Sequence, residues 1–314
     1  MTPLRVIFAG SGEFAVPTLR ALVGAGHALV QVVSQPDRPA GRGRAMTPTP
    51  TAQVALALGL PVVRTDDLNA LADSLPAHDV MVVIAFGQKI ADAVIHKPRL
   101  GAINLHASRL PRYRGAAPIN WAILGGDTIT GNSVIRLAQK MDAGEILAQS
   151  DVAIGEVETA GELHDRLAED GAPLVLGVLE SLAKGTATPV LQDHAKATLA
   201  RKLSRESARI DWLADAESIA RQIRGMYPWP GCRVELLEGE KVTDTLTLVR
   251  AKAIAGEAGA TATLVEWGGA IHIAAGNGGA IQVLEVQPAG KRPMPIADYC
   301  RGHAWRAGMV VRSI

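Results

Sequence analysis

The sequence predicts an α/β chain, with a Rossmann-like doubly wound sheet in the N-terminal part and a small antiparallel β-barrel, OB-like, in the C-terminal part. Three observations predict it. Continuous apolar runs at 4–9, 28–34, 79–86 and 100–105 alternate with segments of helical spacing, the pattern of parallel strands covered on both faces. Short strand-like runs at 233–237, 245–253, 262–266, 270–274 and 280–286 are instead separated by glycine turns. Between the two patterns, around 188–207, apolar periodicity dissolves into a basic stretch. The domain expectation is therefore a catalytic domain over 1–187, a linker over 188–207 and a barrel over 208–314.

Composition fits that division. A chain of 314 residues is long for one domain, and 48% hydrophobic with 20% charged residues is a globular balance that excludes a mainly disordered protein. The net charge of +1 says nothing about partners, because a neutral total can hide opposed patches. Cys232 and Cys300 are far apart and form no metal-ligand pattern, which suits a reducing compartment. No apolar run approaches the roughly 18 residues of a spanning helix, and residues 1–10 do not read as a signal peptide. A soluble cytoplasmic monomer is expected, without a membrane partner.

Taken in order, 4–9 is a strand broken only by Arg5, followed by Gly10, Ser11 and Gly12 and then a helix carrying Phe14, Leu19, Leu22 and Val23. The third glycine of a dinucleotide fingerprint is missing, since Ala15 holds its place, so the turn reads as a tight turn and no NAD is expected. Residues 28–34 close a βαβ unit. The segment 35–50, QPDRPAGRGRAMTPTP, has too many prolines and glycines for a helix or a central strand. It reads either as a solvated loop or as a basic finger whose Arg38, Arg42 and Arg44 follow a phosphate backbone.

A helix at 52–58 and a short strand at 61–63 come next, and then 79–86, the most strand-like run of the chain, ended by Gly87. The strand at 100–105 places Asn104 and His106 two residues apart, hence on one face, where it runs out. Ligands of such sheets gather at the carboxyl ends of the strands. Helix 116–124, strand 133–137, the turn holding Asp142 and a strand at 146–153 follow. A long amphipathic helix spans 159–182, interrupted at Gly171 and Pro173. Beyond the linker, a short helix fits 216–224, a rigid aromatic turn fills 227–231, and the tail 291–312 is basic.

An amide, an imidazole and a carboxylate are the set that acyl transfer needs, provided that Asn104, His106 and Asp142 converge. Each alone has a commoner structural use, as strand end, core histidine or turn former. No nucleophile is evident, because neither cysteine is near in sequence and Ser108 lacks a GxSxG setting. Direct attack by a substrate amine is the more natural chemistry.

The segment INLHASRLPRYRGAAPINWAI at 103–123, followed by MDAGEIL at 141–147, resembles the signature of the 10-formyltetrahydrofolate-dependent formyltransferase family. IFAGSGEFAVPTL at 7–19, QPDRPAGRGR at 35–44, ARIDW at 208–212, YPWPG at 227–231 and QPAGKR at 287–292 narrow the resemblance to the branch acting on methionyl-tRNA. The resemblance covers almost the whole chain. It implies Asn104, His106 and Asp142 as the catalytic trio, and a folate site lined by Ser108, Arg109, Leu110 and Pro111 with Phe86 and Gly87. It implies 10-formyltetrahydrofolate as formyl donor, initiator methionyl-tRNA as acceptor, and no metal. Arg38, Arg42, Arg44, Lys202, Arg205, Lys291 and Arg292 would meet the tRNA. Arg109 departs from the family pattern, which has an apolar residue there, and Ser11 with Gly12 replaces a common Thr-Pro. Three rivals stay open to the sequence: a formyltransferase for a small amine, a nucleotide-dependent oxidoreductase, and a non-catalytic RNA-binding protein.

Overall fold

The computed structural model describes residues 2–40, 43, 45–255 and 259–314. Its chain begins with β1 (Arg5–Gly10), α1 (Val16–Gly24), β2 (Ala28–Ser34), β3 (Arg38–Ala40), β4 (Ala45–Thr47), α2 (Pro50–Ala57) and β5 (Val62–Arg64). β6 (Val80–Ile84), α3 (Asp92–Ile95), β7 (Ala102–His106), β8 (Arg114–Gly115), α4 (Pro118–Leu124), β9 (Ile129–Thr130) and β10 (Ser133–Arg136) follow. Then come β11 (Ile146–Gln149), β12 (Val152–Ala153), α5 (Ala160–Lys184), β13 (Leu199–Ala200) and α6 (Ala216–Gly225). The last stretch holds β14 (Cys232–Glu238), β15 (Lys241–Ile254), β16 (Leu264–Trp267), β17 (Ala270–Ala274), β18 (Ala280–Pro288), β19 (Met294–Pro295), α7 (Ile296–Tyr299) and β20 (Val310–Ser313).

Two compact units emerge. The first comprises Met1–Gly115, Thr130–Val152 and His164–Ala200, and the second Ala116–Ile129, Ala153–Leu163 and Arg201–Ile314. Residues 188–200, read from sequence as linker, thus belong to the first unit.

The first unit is built on a seven-stranded sheet in the order β11-β10-β7-β6-β1-β2-β5. β1 pairs in parallel with β2 and β6, β6 with β7, and β2 with β5, whereas β10 runs antiparallel to both β7 and β11. Every residue of β6 is buried, and every residue of β1 after Arg5, which is why both runs are apolar without alternation. One layer of core collects Ile7, Ala9, Val33, Met81, Val83 and Phe86 against Val94 and Ile95. Chain order reverses between β1 and β6, so the crevice outside their carboxyl ends is the ligand position of such sheets. Gly171, inside α5, permits a close crossing: a Cβ there would lie 2.4 Å from a Leu105 side-chain carbon. The glycine costs the helix about 1 kcal/mol in propensity, and the gain is a helix seated directly on β7.

Two expectations need correction here. The run 146–153 is two strands rather than one, broken at Ser150 and Asp151. Ser150 accepts from the Asn132 N–H through its hydroxyl and donates to Asp170 with the same group, while its own N–H donates to Asn132 O at 3.0 Å. Segment 35–50 carries a small hairpin, β3 with β4, apart from the main sheet.

In the second unit the strands run β16-β17-β18-β15-β14-β20, with β19 beside β18. A bridge between Thr263 and Val310, with the Leu264 N–H donating to Met309 O and the Val311 N–H to Ala262 O, joins the two ends of that path. The result is a closed antiparallel sheet around Val234, Leu236, Leu248, Ile281 and Val286. β20 lies inside the tail that sequence reading treated only as basic. Helix α6 covers this core with Ile219, Ala220 and Ile223, and its N-terminus is capped by Asp215, whose carboxylate accepts from the Ser218 N–H at 2.9 Å. Arg250 on β15 holds Glu162 at 2.6 Å and Glu285 at 3.4 Å. Its guanidinium brings the Glu162 carboxyl down to about 2. Among the described residues, no helix is long and apolar enough to cross a membrane.

Candidate active site

The site is assembled in the first unit where β7 ends. Asn104 and His106 alternate on β7 with Ile103 and Leu105, which are buried in the sheet. The register sets Asn104 opposite Ile135 and His106 opposite Ser133 on the antiparallel neighbour β10. β10 runs from Ser133 beside His106 to Arg136 beside Ile103, away from the imidazole, so it is the segment 137–142 after it that turns back and brings Asp142 to His106. The outcome is an imidazole Nδ1 3.7 Å from Asp142 Oδ1. Among the described residues, no hydrogen bond engages the Asn104 amide, which is half-buried.

His106 is 7% exposed, and its Nε2 lies 2.9 Å from the Tyr113 carbonyl oxygen. A carbonyl only accepts, so Nε2 carries the proton and donates. That leaves Nδ1 as the working nitrogen: a lone pair when the ring is neutral, an N–H when it is protonated. At 3.7 Å from the carboxylate, Nδ1 is beyond hydrogen-bond range. Nδ1 and Oδ1 are therefore near neighbours not bonded to each other, close enough for a third group beside them to touch both.

Asp142 sits at φ 51, in the left-handed region, and Tyr113 at φ 60. Backbone held there costs roughly 1–3 kcal/mol for a residue with a side chain and persists only where its surroundings enforce it. For Asp142 they are visible. Its Oδ2 accepts from the Gly115 N–H at 2.8 Å, and its own carbonyl accepts from Gln192 Nε2 at 2.8 Å. Gln192 Nε2 also reaches Gly144 O at 2.7 Å. Gly144 allows the turn to press against β10, because a Cβ there would lie 1.8 Å from Arg136 O. For Tyr113, the backbone N–H donates to Thr198 Oγ1 at 2.8 Å, while β8 pairs in parallel with β13 just beyond.

The loop after His106 is internally satisfied. Ser108 Oγ donates to Arg112 O at 2.7 Å, and Ser133 Oγ donates to Ser108 O at 2.6 Å while accepting from the Leu110 N–H at 3.0 Å. Gln149 Nε2 holds Leu110 O at 2.9 Å. Ser108 and Leu110 are buried and Pro111 is half-buried, so this stretch is a stiff wall whose polar backbone atoms are largely committed. Arg109 turns outward to Asp151 at 2.7 Å, with both side chains about half exposed. The Phe86 ring is in the sheet core, and its carbonyl accepts from Gln35 Nε2 at 2.8 Å beside Gly87.

The basic residues are spread out. Arg38 is exposed in the hairpin, its Nη2 donating to Gln35 Oε1 at 2.7 Å, whereas Arg42 and Arg44 lie outside the described residues. Lys202, Arg205, Lys291 and Arg292 are exposed on the second unit. The sequence reading missed Tyr113, Gln192 and Thr198. Tyr113 acts through backbone atoms, which leave no side-chain signal, and the other two lie in the stretch read as linker.

Comparison with known proteins gives a consistent picture. Residues 4–179 match the family described as formyl transferase, and residues 202–304 match the formyl transferase C-terminal domain. The chain is similar to the methionyl-tRNA formyltransferase of Thiobacillus denitrificans, 44% identical over 313 residues, covering 97% of this chain and 98% of that one. It is similar also to that of Acidobacterium capsulatum, 42% identical over 306 residues and covering 96% and 97%. Among solved structures, an N-formyltransferase from Helicobacter canadensis, in complex with folinic acid and dTDP-3-aminofucose, superposes at TM-score 0.67 and 16% identity, covering 91% of this chain and 99% of that one. HypX from Aquifex aeolicus, in complex with tetrahydrofolic acid, superposes at 0.62 and 17%, covering 95% and 47%. At those identities the structural likeness speaks for the fold.

Proposed function

This chain belongs to the formyl transferase family, among the methionyl-tRNA formyltransferases, and we propose that Asn104, His106 and Asp142 carry its reaction. It is a formyl-group transferase that uses 10-formyltetrahydrofolate and acts on initiator methionyl-tRNA. Membership replaces the oxidoreductase and the non-catalytic RNA-binding readings of the sequence.

The observation that carries the assignment is the approach of His106 Nδ1 to within 3.7 Å of Asp142 Oδ1, with Nε2 fixed by the Tyr113 carbonyl. The deprotonated α-amino group of methionine attacks the formyl carbon on N10 of the folate, and the carbonyl oxygen becomes an oxyanion. Asn104 donates from its amide, and His106, when protonated, donates from Nδ1; donors placed where charge develops are worth roughly 3 kcal/mol each. Asp142 accepts the proton released by the attacking amine and returns one to N10 as the carbon–N10 bond breaks, directly or through water. The products are formyl-methionyl-tRNA and tetrahydrofolate. Folate lies against the stiff wall from Ser108 to Pro111 and the end of β6 at Phe86 and Gly87, with Arg109 held outward by Asp151.

The first unit, with residues 188–200 inside it, acts as the catalytic part, and 208–314 act as the tRNA-binding part. Arg38, Arg42 and Arg44 approach the acceptor end, while Lys202, Arg205, Lys291 and Arg292 meet phosphates. The protein works in the cytoplasm as a monomer without a membrane partner. The test is formyl transfer from 10-formyltetrahydrofolate to methionyl-tRNA, with uncharged tRNA and free methionine as controls. Formylation of free methionine at a comparable kcat/KM would defeat the tRNA reading. Replacing Arg38, Arg42 and Arg44 with glutamine should raise KM for methionyl-tRNA and leave folate binding alone. An equal loss of both would contradict that assignment.

A further inference from the structure

We propose that Gln192, held by Arg114, is a positioning residue for the Asp142 carboxylate, and that Thr198 does the same for His106 through Tyr113. The inference rests on the catalytic reading of Asp142 and His106 above. It gives residues 192–198 a role in catalysis that their place in a basic connecting stretch does not suggest.

Asp142 occupies a left-handed conformation, and a short acidic residue in a turn has other rotamers and other turns open to it. Gln192 removes that freedom by spending both N–H groups of its amide on the two carbonyls that flank the turn's apex, Asp142 O at 2.8 Å and Gly144 O at 2.7 Å. An amide so used must itself be anchored. Its Oε1 accepts from Arg114 twice, at 3.1 Å from Nε and 2.6 Å from Nη2, a fork that fixes the amide plane. Gln192 and Arg114 are 7% and 5% exposed, so the chain of bonds runs through buried groups.

Arg114 has a second duty in the same place. Its neighbour Tyr113 offers the carbonyl that fixes His106 Nε2, and Tyr113 is pinned in its left-handed conformation by Thr198 Oγ1 at 2.8 Å. The next backbone N–H, of Arg114, donates to Thr198 O at 2.9 Å. One short strip of chain, 192–198, thus reaches the imidazole by one route and the carboxylate by another. Both routes end on backbone atoms, so the strip sets where the two groups stand without touching substrate.

Charge is not the device. Gln192 is neutral, and Arg114 meets Gln192 and His194 Nδ1, at 2.9 Å, rather than Asp142. What remains is geometry, and a misplacement of about 1 Å in a reacting group can cost on the order of a hundredfold in rate.

The test uses the full-length enzyme with 10-formyltetrahydrofolate and methionyl-tRNA. Gln192→Glu keeps an acceptor for Arg114 and loses both donors to the turn. It should lower kcat by about tenfold to a hundredfold, with KM for either substrate within about twofold and the melting temperature retained. Thr198→Val should lower kcat in the same way, and Thr198→Ser, which restores the hydroxyl, should recover it. Wild-type kcat in Gln192→Glu, measured beside an inactive Asp142→Asn, overturns the proposal while leaving the catalytic reading intact. An active Asp142→Asn overturns the reading itself. A fall in kcat matched by equal losses in folate binding and melting temperature also overturns the proposal, since the strip would then serve the fold alone.

Discussion

Gly144→Ala isolates geometry from chemistry, because Gly144 contributes no reacting group and has no backbone angle reserved to glycine. A Cβ at this position would lie 1.8 Å from Arg136 O and 2.9 Å from Arg136 C, at the end of β10. Real Cβ contacts essentially never fall below 3.0 Å, so turn and strand must part by about 1.2 Å. Neither side yields easily. Arg136 is tied by its N–H to Glu145 O at 2.9 Å, and the Gly144 carbonyl is tied to Gln192. The displacement therefore passes along the turn to Asp142, two residues away. Overpacking of this kind costs about 1–3 kcal/mol in stability, which a domain of this size survives. The rate should fall by about a hundredfold, because the shift exceeds the tolerance of a reacting group. Single-turnover formyl transfer, with thermal unfolding recorded on the same sample, measures both. A variant that is folded and as fast as wild type would refute the reasoning that Asp142 must be held where it is.

Two further outcomes follow from the same geometry. Asn104→Ala should slow transfer by roughly a hundredfold, equivalent to about 3 kcal/mol from one oxyanion donor, with KM for folate little changed; unchanged kcat would remove Asn104 from the mechanism. The Glu162 carboxyl ordinarily titrates near 4.5 and is brought to about 2 by Arg250, so its contribution is full above about pH 4.5 and disappears as pH falls toward 2. Because Glu162 is 48% exposed, the pair is worth only about 1 kcal/mol after solvent screening. Arg250→Met also loses the bond to Val157 O at both pH values, so its cost at pH 7 should exceed its cost near pH 2.5 by about 1 kcal/mol or somewhat more, measured by denaturant unfolding, and an equal cost at both pH values would be inconsistent with the linkage.

Much of the site was legible in the sequence, for reasons that also explain what was hidden. Asn104 and His106 were readable as a pair because a strand repeats every two residues and this one stops at His106. Asp142 was readable from the Met-Asp-Ala-Gly turn, but its approach to His106 depends on the chain after β10 doubling back and on Gln192 holding the turn there, which no local pattern dictates. The Tyr113 carbonyl was invisible, since every residue has one. Gln192 and Thr198 lie far along the chain from the groups they hold, in a stretch whose lysines and arginines drew the eye instead. β20 was submerged for the same reason: Val310 and Val311 are too few to stand out beside Arg301, Arg306 and Arg312. Arg109 entered the folate-lining stretch through the family resemblance, from whose pattern it departs, and its pairing with Asp151 shows how a neighbour across a loop redirects a side chain.

The most direct test of the central claim is the single-turnover rate of formyl transfer to methionyl-tRNA by Asp142→Asn at saturating 10-formyltetrahydrofolate. Asparagine retains an oxygen to accept from the Gly115 N–H and removes the proton acceptor that faces His106 Nδ1. The account predicts a loss of at least about a hundredfold, with melting temperature and affinities for both substrates preserved. A rate within a few-fold of wild type would contradict it.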